Sequence, residues 1–150
     1  MATAMQNNKT VDQLNSFLRG EISAVETYRL ALKKLDNGSV ARNELESCMR
    51  SHEERVSSLR SMVQQLGGKP TESSGAWGAF TKVVEGSAAA FGDKIAINAL
   101  EEGEDHGLRD YRDSIDKLDR DMRSIVSTRL LAEQENTHSR MSSLKKRLQS

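Results

Sequence analysis

The chain has 150 residues, enough for one domain built around one core. Lys plus Arg and Asp plus Glu both number 22, so the formal charge is zero; no basic excess exists for a phosphate backbone or a polybasic membrane anchor, which argues against nucleic acid as a main partner. With 36% hydrophobic residues, one Pro and no apolar run near the ~20 residues of a membrane span, the composition favours a helical protein without membrane spans.

Residues 1–9 are polar and read as a flexible tail without an apolar signal core. The single Cys48 has no internal disulfide partner, which fits a cytoplasmic location. Residues 10–150 read as one bundle domain. Thr10-Val-Asp-Gln13 has the form of a capping box. Leu14, Phe17, Leu18, Val25, Tyr28, Leu32 and Leu35 then recur at helical spacing, and Asn37-Gly38 stops the first helix. Ser39 caps a second helix whose face is Leu45, Met49, Val56, Leu59, Val63 and Leu66; Gly67-Gly68 and Pro70 end it.

Residues 67–76 form a loop rich in Gly, Ser, Thr and Pro, followed by a short helix over 77–91 in which Trp77 and Phe80 pin the connection to the bundle. Asp93 caps a third helix with Ile97, Leu100, Leu108, Tyr111, Ile115 and Leu118 inward. Asp119 to Asp121 turns the chain. The fourth helix follows, with Ile125, Leu131, Met141, Leu144 and Leu148 inward. Short turns make helices one and two, and three and four, antiparallel neighbours, whereas about 25 residues between two and three suffice for a crossover along the bundle. The fold class is therefore all-α: an antiparallel four-helix bundle with a long crossover containing a short extra helix.

Polar residues interrupt these apolar faces. They are Glu21 on helix one, His52 on two, Glu104 on three, and Glu135 with His138 on four. A buried carboxylate without a partner costs several kcal/mol by desolvation, so each interruption needs a reason. Glu21, His52, Glu104 and Glu135 each lie about 15 or 16 residues from a tight turn, hence near one level at mid-bundle; His138 is one helical turn away. Three carboxylates and two imidazoles at that level form a first shell for a divalent metal, iron or zinc.

The run from Leu14 through Phe17, Arg19, Gly20 and Glu21 to Tyr28 resembles the first helix of rubrerythrin-type ferritin-like domains. Gly103-Glu104 with Tyr111 resembles their third helix, and Glu135-x-x-His138 their fourth. The whole pattern is similar to a bacterial family of small ferritin-like domains of unassigned function. The resemblance implies that Glu21 and His52 serve one ion, Glu104 and His138 a second, with Glu135 bridging. Two departures stand out. Met49 takes the place of a second bridging Glu, and Gly107 that of a further Glu on helix three. Two divalent ions would then face only three carboxylates, and a thioether is a poor ligand for iron, so a single ion, zinc in particular, gains weight over di-iron oxygen or peroxide chemistry. The default assembly is a homodimer.

A reading from another class is a helical interaction module with a vestigial site, its inward polar groups forming a network with Arg129 as the candidate cation. Cys48 and His52, four residues apart, admit a Cys-His-Glu zinc site, or Cys48 is a buried thiol packed beside Met49. His106, Glu101, Glu102, Asp105 and Glu26 read as surface residues. Tyr28 and Tyr111, two turns from Glu21 and Glu104, are placed to donate hydrogen bonds or electrons to the site.

Overall fold

The computed structural model describes residues 4–36, 38–75 and 93–149. They form α1 (Ala4–Lys34), α2 (Arg42–Gln65), α3 (Asp93–Ser114), α4 (Arg120–Ile125) and α5 (Leu131–Gln149), with a 3-10 turn at Ile115–Lys117. A π-turn at Val126–Leu130 joins α4 and α5 into one continuous fourth helix. The expected crossover helix over 77–91 lies outside the described residues.

Helix direction follows from contacts at the two ends. At one, the Asp93 carboxylate that opens α3 accepts from Asp36 N (3.2 Å) and Ser39 Oγ (2.7 Å), beside the α1–α2 turn. At the other, Thr10 Oγ1 accepts from Asp119 N at 2.9 Å. α3 therefore starts where α1 ends and runs antiparallel to it, while α2 and α3 run parallel and need the crossover. That crossover begins by following α1. Asn15 holds Lys69 O and Thr71 N, and Glu26 accepts from Ser74 Oγ, contacts separated by about 16 Å of helix axis at 1.5 Å per residue. α1 packs on α2 and α3 on α5, and these pairs close through α1 with α3 and α2 with α5.

α2 ends in a Schellman motif: Gly67 N bonds Gln64 O (3.0 Å) and Gly68 N bonds Val63 O (3.0 Å). Gly67 has φ +78°, a conformation that glycine adopts without Cβ strain. The first helix begins at Ala4, ahead of the expected Thr10 cap. Thr10 is buried inside α1, where its hydroxyl satisfies an amide at the N-terminus of α4. Asp119 caps α4, its Oδ1 accepting from Met122 N at 2.9 Å. Asp119→Ala is expected to cost about 1 kcal/mol, measured by urea denaturation.

The core has two apolar halves. Tyr28, Ala31, Leu45, Ile97, Leu100, Met141 and Leu144 belong to the half nearest the α1–α2 turn. Leu14, Phe17, Leu18, Leu59, Tyr111, Val126 and Leu130 belong to the other. Between them lies a layer of buried polar residues: Glu21, His52, Arg55, Glu104, Gln134 and Thr137. No helix among the described residues is long and apolar enough to cross a membrane.

Candidate functional site

His52 bridges two helices at the centre of this layer. Its Nδ1 lies 2.9 Å from Glu21 Oε2 on α1 and its Nε2 lies 2.7 Å from Glu104 Oε2 on α3. Facing ionised carboxylates, which only accept hydrogen bonds, both ring nitrogens would donate, an arrangement that favours the imidazolium. Burial disfavours that charge and Arg55 repels it, yet Glu104 and Glu21 outweigh both and raise the His52 pKa. Burial likewise pushes Glu104 up, but His52, Arg55 and Tyr28 prevail and hold its carboxyl down at about 2.

Arg55 stands one turn beyond His52 on α2, with no side-chain exposure. Its Nη1 donates to Glu21 Oε1 (3.4 Å) and closely to Gln134 Oε1; its Nη2 donates to Thr137 Oγ1 (3.0 Å) and Ser51 Oγ (3.2 Å), and its Nε to Ser51 O (3.3 Å). Glu104 is the acceptor hub. Besides His52 it receives Tyr28 OH (2.5 Å) on Oε2, and Gln134 Nε2 (2.9 Å) and Thr137 Oγ1 (2.8 Å) on Oε1. The tyrosines cross over. Tyr28 of α1 donates to Glu104 of α3, and Tyr111 of α3 donates to Glu21 of α1 at 3.2 Å. Burial, followed by the facing carboxylate, raises both phenol pKa values well above the usual range, which keeps both phenols as donors. Among the described residues no buried side-chain polar atom lacks a partner. The two buried carboxylates face the guanidinium and the imidazole ring, and the partly exposed Glu133 adds a third carboxylate 3.8 Å from Arg55 Nε.

Glu21, His52 and Glu104 thus meet at mid-bundle as the sequence indicates. Glu135 and His138 do not join them: Glu135 is exposed, and His138 is half-buried with its Nε2 3.5 Å from Asp105 Oδ1. The inward placement expected for this pair is corrected by one residue, because Leu130 and Leu131 are adjacent and about 100° apart on the helix. Met141 and Leu144 share the phase of Leu130, which puts Gln134 and Thr137 inward. The same single-residue slip occurs on α2, where Cys48 and Arg55 face the core and Met49 and Val56 lie beside it. Arg129 is exposed, so the core cation is Arg55. Burial, with Glu104 next, pushes the Cys48 thiol up to about 12, which keeps it a neutral thiol in the apolar half of the core.

Gly107 makes room for this arrangement. A Cβ there would stand 3.0 Å from Gln134 Nε2, the atom that also donates to Glu104 O at 2.8 Å. Gly107→Ala is expected to cost about 1–2 kcal/mol by displacing the amide. A double-mutant cycle with Gln134→Ala should show a coupling of at least about 0.5 kcal/mol. Between α1 and α3 a cavity of about 40 Å³, flanked by Gly20, Ala24, Gly103 and Gly107, reaches Glu21, His52 and Glu104.

The fold and its polar core define a ferritin-like helical bundle. The chain belongs to the family described as "Domain of unknown function (DUF2383)", whose profile matches residues 9–117. It is also similar to a crystal structure described as ferritin like, diiron-carboxylate proteins from Bacillus anthracis str. Ames. The TM-score is 0.65 at 16% identity, over 98% of this chain and 97% of that one, which supports the fold. No curated protein matches the chain.

The name of that similar structure raises the question of a metal. Among the described residues no three His, Cys, Asp or Glu side chains are arranged as a metal site. Two ligands of one tetrahedral zinc ion stand about 3.3 Å apart, whereas His52 Nε2 and Glu104 Oε2 are hydrogen-bonded at 2.7 Å. An imidazolium has no lone pair to give, and a guanidinium fills the space beside Glu21. This side-chain arrangement does not fit a dinuclear carboxylate centre.

Proposed function

We propose that this protein is a metal-independent ferritin-like bundle that serves as a structural or protein-interaction module, not as an oxidase. The observation that supports this most is the buried Arg55, which together with protonated His52 balances Glu21 and Glu104. A fully satisfied polar layer between two apolar halves adds little net stability; it penalises any sliding of one helix past another, which would leave buried charges unpaired. The module's role then rests on holding its outer faces in one fixed relation.

A second reading is a single divalent ion, iron or zinc, bound in this core after His52 loses its proton and the carboxylates of Glu21 and Glu104, which now face opposite ring nitrogens, move to one side of it. It is favoured by the meeting of these three residues beside a cavity with room for about two water molecules. Elemental analysis by plasma mass spectrometry separates the two readings, using protein purified without an affinity tag and melted with and without chelator. The proposal expects less than about 0.1 equivalent of iron, zinc or manganese and an unchanged melting temperature. About one equivalent, lost in His52→Ala together with stability, would establish the second reading instead.

A further inference from the structure

We propose that the end of the bundle carrying the α1–α2 turn is a docking face for an anionic lipid surface, held there by basic side chains from three helices and by an apolar residue at the turn. The proposal goes beyond the reading of the core and does not depend on it. A formal charge of zero conceals an uneven distribution. Residues 33–46, 93–98 and 140–149 carry eight basic and four acidic side chains, against 22 of each in the whole chain, so the rest of the chain is acidic in balance. These three stretches meet at one end. The Asp93 carboxylate accepts from Asp36 N and Ser39 Oγ, which sets the start of α3 against the turn. Arg140 Nε reaches Glu44 Oε1 at 2.6 Å. Lys145 lies as many residues beyond Arg140 as Ser39 lies before Glu44, so α5 ends level with the turn.

Compensation of helix dipoles explains part of this charge. Lys33 and Lys34 stand in the last turn of α1, and Lys146 and Arg147 in that of α5, where cations are favoured. Lys94 is different. It is exposed and is the second residue of α3, at the helix end where a cation is disfavoured. Two of the four acids are engaged locally, Glu44 by Arg140 and Asp93 by the turn. In the turn itself Val40 is 84% exposed. α1 and α5 are diagonal in the bundle, about 13 Å apart, so no single acidic side chain spans their two pairs of cations. A flat anionic surface meets both pairs and Lys94 at once, and takes Val40 into its interfacial layer. With one valine to insert, the contact is peripheral and salt-sensitive.

The test is sedimentation of the full chain with vesicles of phosphatidylcholine, alone or with about 30% phosphatidylserine, at low salt, with heparin binding measured alongside as a soluble polyanion. Wild type should bind the phosphatidylserine vesicles, ignore those of phosphatidylcholine alone, and be released by ~0.5 M salt. Lys33→Gln combined with Lys146→Gln should lower the partition coefficient about 25-fold, at roughly fivefold per charge. Lys117→Gln combined with Arg120→Gln, at exposed positions of the opposite end, should leave it unaltered. Val40→Ser should weaken vesicle binding and leave heparin binding unaltered. All five positions are exposed, so the variants should fold, and their melting temperatures check this. No binding to phosphatidylserine vesicles, equal losses from the two ends, or heparin binding without vesicle binding overturns the proposal; the last result assigns the face to a soluble acidic partner. None of these results bears on the metal-independent reading of the core.

Discussion

Glu104→Ala is expected to lower the unfolding free energy by about 3–5 kcal/mol, because it removes one side of a buried charge balance and strands its donors. Four side chains donate to this carboxylate: His52, Tyr28, Gln134 and Thr137. Their hydrogens lose an acceptor in a space with little water, and Glu21 alone faces two cations. For a chain of this size the melting temperature should fall by roughly 10 °C. Glu135→Ala makes the matching control: Glu135 is exposed, and the change should stay within about 0.5 kcal/mol. Urea denaturation of both variants decides which face of the fourth helix is inward. A large loss for Glu135→Ala with a small one for Glu104→Ala would contradict the structure.

Stability should be greatest between about pH 4.5 and 6.5 and fall on both sides. Glu104 is held at about 2 in the folded chain, below its unfolded value, so its contribution is present above the unfolded pKa and disappears as pH falls toward 2. That contribution is about 3 kcal/mol. His52 is shifted the other way. Its folded pKa is raised, so its contribution is complete below about 6.5 and is lost as pH rises through the folded value. The two shifts describe one interaction seen from its two partners, and their magnitudes do not add. Denaturation midpoints in urea from pH 4 to 9 should show the alkaline decline, and His52→Gln should flatten it. A wild-type midpoint that stays level from pH 6 to 9 would mean that folding does not raise the His52 pKa.

The four long helices were legible because Leu14, Phe17, Leu18, Leu59, Leu100 and Leu108 leave little doubt about phase. Glu21 and Glu104 were legible for the same reason: each sits between apolar neighbours that agree on the inward direction. Trouble came where two adjacent residues both fit the face. Leu130 and Leu131 allow two phases for the fourth helix, and the π-turn at Val126–Leu130 breaks the link between the phase before it and the phase after it. On α2, Met49 and Val56 drew the face away from Cys48 and Arg55. An arginine reads as surface until its counter-charges are known, and those of Arg55 come from other helices far away in sequence. The signal that was present is the spacing of Arg55, three residues after His52 and four before Leu59, on one stripe.

The protonation of His52 is the central claim, and nitrogen-15 NMR of the imidazole side chains tests it directly. At pH 6, in metal-free protein, His52 should show hydrogens on both ring nitrogens, slow to exchange with water, and nitrogen shifts of an imidazolium unaffected by added zinc. A neutral ring with one bare nitrogen, whose signal moves when zinc is added, would contradict the account and give His52 back to a metal ion.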